Sequence, residues 1–449
     1  MFKKILIANR GEIARRINEV AHAHGVKTVA VYSDADEKLP FVRECDERVR
    51  LGPAPAAESY LSIEKVVAAA KQTGAEAIHP GYGFLSENAA FAQACGDAGI
   101  TFIGPPIAAM TRMKDKSQAR ALVAQAGVPV VPGSDGTVAD LAAARVEAEK
   151  IGYPILIKAA GGGGGIGMQV AKDASELEKQ LRAASDRAKS AFGREAVYLE
   201  RYLPAPRHVE VQILGDHHGH LIHCFERECS IQRRHQKVVE ESPSPLFLQG
   251  KNAALAERMY AAAVKAAKAF GYANAGTCEF LVQGDEFFFI EMNARLQVEH
   301  PVTEKVTGLD LIGWQLKIAS GEKLTVTQEA LTRKGAAIEF RIYAEDPVKF
   351  FPSPGPLNVY ALPAMEKVRL DSGYEQGGTV TPYYDPMIAK LLVWDEDRPS
   401  AIARAIAALE KFDVQGIKTN IPLHLRILKS EAFGRGELDT HFLEKHAKP

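Results

Sequence analysis

The sequence predicts a mixed α/β and α+β fold, with an N-terminal doubly wound parallel-sheet domain, a small glycine-rich domain and a C-terminal α+β domain. Three observations carry this. Over the first ~110 residues, short apolar runs alternate with amphipathic helical patterns, as in parallel sheets covered by helices. Five consecutive glycines, Gly161 to Gly165, lie between two short strand-like runs. From Pro204 onward several segments alternate apolar and polar residues with a period of two, the mark of half-buried strands.

In order along the chain, Ile5 to Ala8 reads as a strand, Gly11 as a turn, and Ile13, Ile17, Val20 and Ala21 as one stripe of a helix. Val26 to Tyr32, a run ending at Ile78, and Ile100 to Ile103 supply further strands. Ligands of such domains lie near the carboxyl ends of the strands. The loop from His79 to Leu85 is therefore a candidate wall of a site, although its Pro and Gly residues also suit a plain turn. Residues 111–130 read as a helical connector. Beyond it come a strand at Tyr153–Lys158, the glycine run, a strand at Met168–Ala171, a helix near 174–190 and a strand at Ala196–Glu200. The expected domain limits are 1–113, 114–130, 131–203, 204–330 and 331–446.

Composition removes several function classes. With 55 Lys+Arg against 56 Asp+Glu, no global field attracts nucleic acid or an acidic membrane. An anionic ligand must be held by a local basic cluster. The five cysteines include no C-x-x-C pair, so a zinc or disulfide-exchange site is not indicated, and buried reduced thiols are expected. The N-terminal apolar run is too short for a signal peptide, and no stretch is long enough to span a bilayer. The expected compartment is the cytoplasm.

Gly162-x-Gly164-x-x-Gly167 formally matches a dinucleotide fingerprint, but that motif needs a following helix and Met168 to Ala171 reads as a strand. No G-K-[ST] follows, so it is not a P-loop. Five glycines are costly to order and a hairpin needs only one or two. A mobile lid of bare N–H groups closing over phosphates accounts for the excess. Lys158, just before the loop, and Lys116, in the connector, are candidate ligands for phosphate charge.

A second signal lies at 277–299. Thr277 to Val282 and Phe287 to Asn293 read as the arms of a hairpin with its turn at Gln283-Gly284-Asp285-Glu286. A turn centred on Asp285 places Glu279 opposite Glu291. Like charges directly opposite one another destabilise a strand pair. A cation between them is expected, and oxygen donors without Cys or His favour Mg²⁺ or Mn²⁺. If the chain stays extended, Asn293, Arg295, Gln297 and Glu299 continue along the same face. A cation and a carboxylate beside a metal–phosphate site suit activation of a small anion. The basic run Gln232-Arg233-Arg234-His235-Gln236-Lys237 follows Glu226-Arg227-Glu228; such a run also suits a solvated face.

Together these segments resemble the biotin carboxylase family over about residues 2–445. The resemblance rests on Ile7-Ala8-Asn9-Arg10-Gly11-Glu12-Ile13-Ala14, His79 to Asn88, Lys158 with its glycine loop, Glu228 to Lys237, Glu291 to Pro301, and Arg341-Ile342-Tyr343-Ala344-Glu345-Asp346. It implies an ATP-grasp fold, ATP with two Mg²⁺ or Mn²⁺ ions, and biotin as a carrier-borne substrate. Lys116, Lys158, Gly164, Gly165, His208, Gln232 and His235 would contact the nucleotide, and Glu200 and Leu203 would hold adenine. Glu279, Glu291 and Asn293 would bind metal. Lys237, Arg295, Gln297 and Val298 would hold bicarbonate, Glu299 would be the general base, and Arg341 with Tyr82 would meet biotin. The implied partners are a biotin carboxyl carrier protein, carboxyltransferase subunits and a second copy of the chain.

One departure stands out. Ile166 occupies a position where the family usually has Arg or Lys, which predicts weaker ATP binding. No Met-Lys-Met biotin attachment site is present, so carrier and carboxyltransferase are expected on separate chains. The resemblance implies an acetyl-CoA or acyl-CoA carboxylase and fatty acid biosynthesis, while Glu228-Cys229-Ser230-Ile231 and Ser242-Pro243-Ser244-Pro245 look more like the propionyl- or pyruvate-type carboxylases.

Overall fold

The computed structural model describes residues 1–159, 168–192, 195–234, 236–361 and 364–447. The first sheet contains β1 (Lys4–Ile7), β2 (Lys27–Ser33), β3 (Glu47–Gly52), β4 (Ala77–His79) and β5 (Thr101–Phe102). All its pairings are parallel, in the order β3-β2-β1-β4-β5. Helices α1 (Gly11–Ala23), α2 (Pro40–Glu44), α3 (Ile63–Thr73) and α4 (Ala89–Asp97) accompany it. Ile5, Leu6 and Ile7 are wholly buried because helices cover both faces. Strand β3 is an addition to the expected elements. Its sequence, Glu47-Arg48-Val49-Arg50-Leu51-Gly52, is half charged, and it lies at the sheet edge with only Leu51 and Gly52 buried. Charge on an edge strand guards against further pairing.

The strand order reverses between β1 and β4, which opens a crevice at their carboxyl ends. Asn9, just after β1, bridges it by donating from Nδ2 to the carbonyls of Pro80 and Tyr82, each at 2.7 Å. Gly81 takes φ +61°, and a Cβ there would lie 2.9 Å from Asn9 Nδ2. The loop therefore needs glycine both for conformation and for close approach.

The predicted connector is two helices, α5 (Ile107–Lys114) and α6 (Lys116–Gln125). Asp115 between them is extended at φ −88°, ψ 106°. The small domain contains α7 (Leu141–Ile151), β6 (Ile155–Ala159), β7 (Gln169–Ala171), α8 (Ala174–Phe192) and β8 (Val197–Arg201). Its antiparallel sheet, in the order β7-β6-β8, covers its own core of Ala144, Ile155, Ile157, Leu177 and Leu199.

The remaining chain builds one antiparallel sheet. It takes in β9 (Arg207–Gly215), β10 (Leu221–Arg233), β11 (Gln236–Ser242), β12 (Asn274–Gln283), β13 (Glu286–Asn293) and β14 (Ala336–Tyr343). Two small pairs follow: β15 (Gly355–Pro356) with β18 (Thr379–Val380), and β16 (Val359–Ala361) with β20 (Asp413–Gln415). Between them in sequence come β17 (Val368–Ser372) and β19 (Met387–Asp395), which complete the large sheet in the order β13-β12-β9-β10-β11-β14-β19-β17. Helices α9 (Ala253–Phe270), α10 (His300–Thr307) and α11 (Leu311–Ala319) precede β14, and α12 (Arg398–Lys411) follows β19. Segments before and after residue 330 thus share one hydrogen-bonded sheet through the β11–β14 pairing. The five cysteines are free and buried. Among the described residues, no helix is long and apolar enough to cross a membrane.

Candidate active site

The hairpin places Glu279 directly opposite Glu291, but not by the expected turn. Near the tip the pairs are Gln283–Glu286, Val282–Phe287, Leu281–Phe288 and Phe280–Phe289, so the turn is the two-residue Gly284-Asp285. That register alone would put Glu279 against Ile290. A bulge between the Phe280 and Glu279 pairs shifts the strand by one residue and brings Glu291 into line.

Register then carries a polar row across the sheet. Glu279 on β12 faces Glu210 on β9, and Glu210 faces Arg227 on β10. Arg227 is fully buried. It donates to Glu210, to Gln212 at 2.6 Å, to Thr303 and Thr277 at 3.0 Å each, and to Gln297 at 2.6 Å. Lys237 on β11 donates from Nζ to Glu210 at 2.5 Å, Glu299 at 2.7 Å and Glu279 at 2.9 Å. Arg341 on β14 donates to Glu240 at 2.6 Å and to Glu299 at 2.9 Å. Three cations and four carboxylates thus form one buried cluster. Burial is the largest single influence and pushes Glu299 and Glu279 upward, but the surrounding cations together outweigh it: Lys237, Arg341 and Arg227 at Glu299, and Lys237 with His208 at Glu279. Both acids are held well below the usual carboxylate range.

Glu279 Oε1 also accepts from Asn293 and Gln297, each at 2.8 Å. His208 Nε2 approaches Glu279 Oε2 to 2.9 Å without an aligned hydrogen bond, and Gln232 donates to His208 Nδ1 at 2.7 Å. His208, Glu210 and Glu279 offer ligand atoms within 4.8 Å of one another. This oxygen-rich set, with Glu291 and Asn293 alongside, fits a hard divalent cation.

At the other end Lys116 donates to Glu291 at 2.9 Å. A cavity of about 240 Å³ opens here, lined by Glu87, Lys114, Lys116, Phe289, Glu291 and Asn293 among others. On the small domain Lys158 pairs with Glu200, which also accepts from Arg120 at 2.6 Å. Leu203 packs with Val131 and Phe288. Gly164, Gly165, Ile166 and His235 lie outside the described residues.

One expectation is corrected. The chain does not stay extended to Glu299: β13 ends at Asn293, and Glu299 sits at φ −82°, ψ 8° as the residue capping α10. Gln297 and Glu299 reach the cluster through Arg227, Lys237 and Arg341, not by strand parity. Arg295 takes a different path, donating to Glu87 at 3.1 Å, to Asn293 at 3.0 Å and to the Leu296 carbonyl at 3.2 Å. Val298 offers its carbonyl to the wholly buried Lys390 at 2.9 Å. Lys390 lies 3.3 Å from Glu12, which accepts from Tyr82. Burial pushes Glu12 up to about 7 against the pull of Lys390.

Sequence reasoning missed Arg227, Glu210, Glu240, Lys390 and Arg120. For Arg227 a signal existed. Glu226-Arg227-Glu228 lies between Cys224 and Cys229 inside a buried strand, where an unpaired charge is prohibitively costly.

Comparison with known proteins places most of the chain in three family models. Residues 1–110 match the family described as biotin carboxylase, N-terminal domain; residues 115–327 match carbamoyl-phosphate synthase L chain, ATP binding domain; residues 339–445 match biotin carboxylase C-terminal domain. A biotin carboxylase of Halalkalibacterium halodurans is 51% identical over 100% of this chain and 98% of its own length. The A-type subunit of pyruvate carboxylase from Methanothermobacter thermautotrophicus is 48% identical over 100% of this chain and 91% of its own. The mitochondrial alpha chain of methylcrotonoyl-CoA carboxylase from Oryza sativa is 49% identical over 99% of this chain, which spans 60% of that longer protein. Two crystal structures share the fold. The Campylobacter jejuni biotin carboxylase beta-gamma-ATP complex has a TM-score of 0.92 at 47% identity, covering 99% of each chain. The biotin carboxylase domain dimer of Hydrogenobacter thermophilus 2-oxoglutarate carboxylase, in complex with MgADP, ADP and bicarbonate, has a TM-score of 0.90 at 45% identity, covering 99% of this chain and 98% of the other. The chain belongs to the biotin carboxylase family of ATP-dependent carboxylating ligases, with an ATP-grasp fold.

Proposed function

We propose that this enzyme uses ATP and bicarbonate to carboxylate biotin carried on a domain outside these residues, and that the buried Lys237–Glu299–Arg341 cluster performs the bicarbonate and biotin steps. The single observation that carries this is Glu299, held by Lys237 at 2.7 Å and Arg341 at 2.9 Å beside the carboxylate row, which lowers its proton affinity.

Bicarbonate is a poor nucleophile. An arriving anion competes with Glu299 for Lys237, so the proton affinity of Glu299 rises as bicarbonate binds. Glu299 then takes the bicarbonate proton, and a bicarbonate oxygen attacks the γ-phosphorus of ATP, giving carboxyphosphate and ADP. Lys237, Gln297, Val298 and Arg295 hold the bicarbonate. Lys116, Lys158, His208, Gln232, Gly164, Gly165 and His235 hold the nucleotide, with Glu200 and Leu203 at its adenine. Glu279, Glu291 and Asn293 would hold Mg²⁺ or Mn²⁺, which neutralises charge developing on the transferred phosphoryl group. Carboxyphosphate breaks to CO₂ and phosphate. Phosphate removes the biotin N1′ proton, Arg341 balances the charge on the ureido oxygen, Tyr82 lines the biotin pocket, and N1′ bonds to CO₂.

Residues 1–113, 114–130, 131–203, 204–330 and 331–446 serve as the working domains. A carrier, a carboxyltransferase and a second copy of this chain complete the assembly in the cytoplasm. An acyl-CoA or keto-acid acceptor is assigned through the carboxyltransferase, since relatives of near-equal identity are named for several carboxylases.

The test is ADP release from MgATP by the full chain, with and without bicarbonate and free biotin. Bicarbonate-dependent release stimulated by biotin is expected. Release indifferent to bicarbonate would refute the assignment.

A further inference from the structure

Two buried glutamates behind Arg341 take no part in these steps. Glu240 on β11 and Glu339 on β14 are register partners. Their side chains leave one face of the sheet with Cβ atoms about 4.5–5.5 Å apart. Both residues are wholly buried. Glu240 Oε1 accepts from Arg341, but Glu240 Oε2 and both carboxylate oxygens of Glu339 have no donor among the described residues.

The surrounding charges do not supply one. Glu240 faces Arg341, Glu299, Lys237, Tyr343 and Cys229; Glu339 faces Lys390, Glu240, Arg341, Asp371 and Arg369, and Arg369 donates instead to Asp371 at 2.9 and 2.7 Å. Lys237 is committed to three other carboxylates, and Lys390 to the Val298 carbonyl. Two ionised carboxylates opposed at this spacing, away from water, cannot both persist. A single proton resolves the conflict, because a protonated carboxyl is a donor and its ionised neighbour an acceptor.

We propose that Glu240 and Glu339 share one proton, and that this carboxyl pair positions Arg341 against Glu299 for the biotin half of the reaction. The second clause rests on the assignment of Arg341 to biotin; the first does not. The titration direction agrees: burial raises Glu240 to about 7 despite Arg341, and burial raises Glu339 far above the usual range despite Lys390. With the proton, the pair presents one negative charge to Arg341. Without it, two negative charges hold the guanidinium back in the sheet. Biotin-dependent turnover therefore falls at alkaline pH, while biotin-free, bicarbonate-dependent ATP cleavage persists.

The direct test is infrared spectroscopy of the full chain with isotope-labelled glutamate. A protonated-carboxyl band at neutral pH is expected, lost on raising the pH and lost in Glu339→Gln. No band sensitive to Glu339→Gln would overturn the shared proton. In turnover, Glu339→Leu lowers biotin-dependent kcat roughly tenfold, and Glu339→Gln, whose amide can donate to Glu240, restores it to within about threefold. The Gln variant also moves the alkaline fall to higher pH, which loss of packing alone would not do. If the band is present but Glu339→Leu keeps the wild-type biotin-dependent rate, the positioning role is overturned while the pair stands. Should Glu339→Leu not fold, the wild-type and Gln spectra and pH profiles decide both clauses.

Discussion

The two ends of the site are held in opposite ways. At the end proposed to hold bicarbonate, Arg227 and Arg341 are buried and Lys237 is 11% exposed, and each holds at least two partners. At the end proposed to hold the nucleotide, the Lys116 side chain is 74% exposed and holds one carboxylate, itself 36% exposed. The first end is organised by the fold before any ligand arrives, so its dipoles and charges cost no reorganisation during the reaction. The second is held by exposed side chains with few partners, which a ligand would have to order on binding. Substitutions at the two ends should therefore fail differently.

The largest effect is expected at Arg227. Arg227→Met leaves Glu210 Oε1 and Gln297 Oε1 without a buried donor, Lys237 holding only Glu210 Oε2, and should cost about 3–5 kcal/mol of stability, read by urea unfolding, along with all turnover. An unchanged unfolding midpoint would mean that the buried end is not a structural hub. Next comes Lys237→Gln, which should lower bicarbonate-dependent ATP cleavage about 10²–10³-fold while changing ATP affinity little. Equal losses in both would erase the distinction between the ends.

Acid stability sharpens the same contrast. Glu279 and Glu299 have lowered pKa values, so their contribution is present above the ordinary carboxylate range and is lost as pH falls below it toward their depressed values. Glu299→Gln should flatten this acid limb of the unfolding profile; a limb as steep as wild type would assign the effect elsewhere. The smallest effect is expected at Lys116. Lys116→Ala should weaken ATP binding about tenfold, more at low salt than at high, while shifting stability by no more than about 0.5 kcal/mol. Calorimetric titration and unfolding on the same sample check both halves.

This contrast also explains what could be read from the chain. The Glu279–Glu291 pairing is local, because a hairpin fixes its own register within a few residues, and even there the bulge beside Phe280 was invisible. The parallel sheet was legible because its strands are continuous apolar runs, apart from the charged edge strand β3. The row from Glu279 through Glu210 to Arg227 joins strands far apart in sequence. Alternation says which face a residue takes, but not which strand will lie beside it. Glu299 was found by resemblance and by a parity that the chain abandons after Asn293. Lys390 carries the same kind of signal as Arg227, a lone lysine within the apolar part of β19, but nothing in the sequence says that it holds Val298.

The central claim is that bicarbonate, activated in the buried cluster, attacks ATP. Heavy-oxygen-labelled bicarbonate followed into inorganic phosphate tests it most directly. Transfer of one labelled oxygen to each phosphate by the wild-type chain, with transfer lost in Glu299→Gln, is the predicted result. Unlabelled phosphate released at the wild-type rate would show that water attacks instead, and would contradict the account.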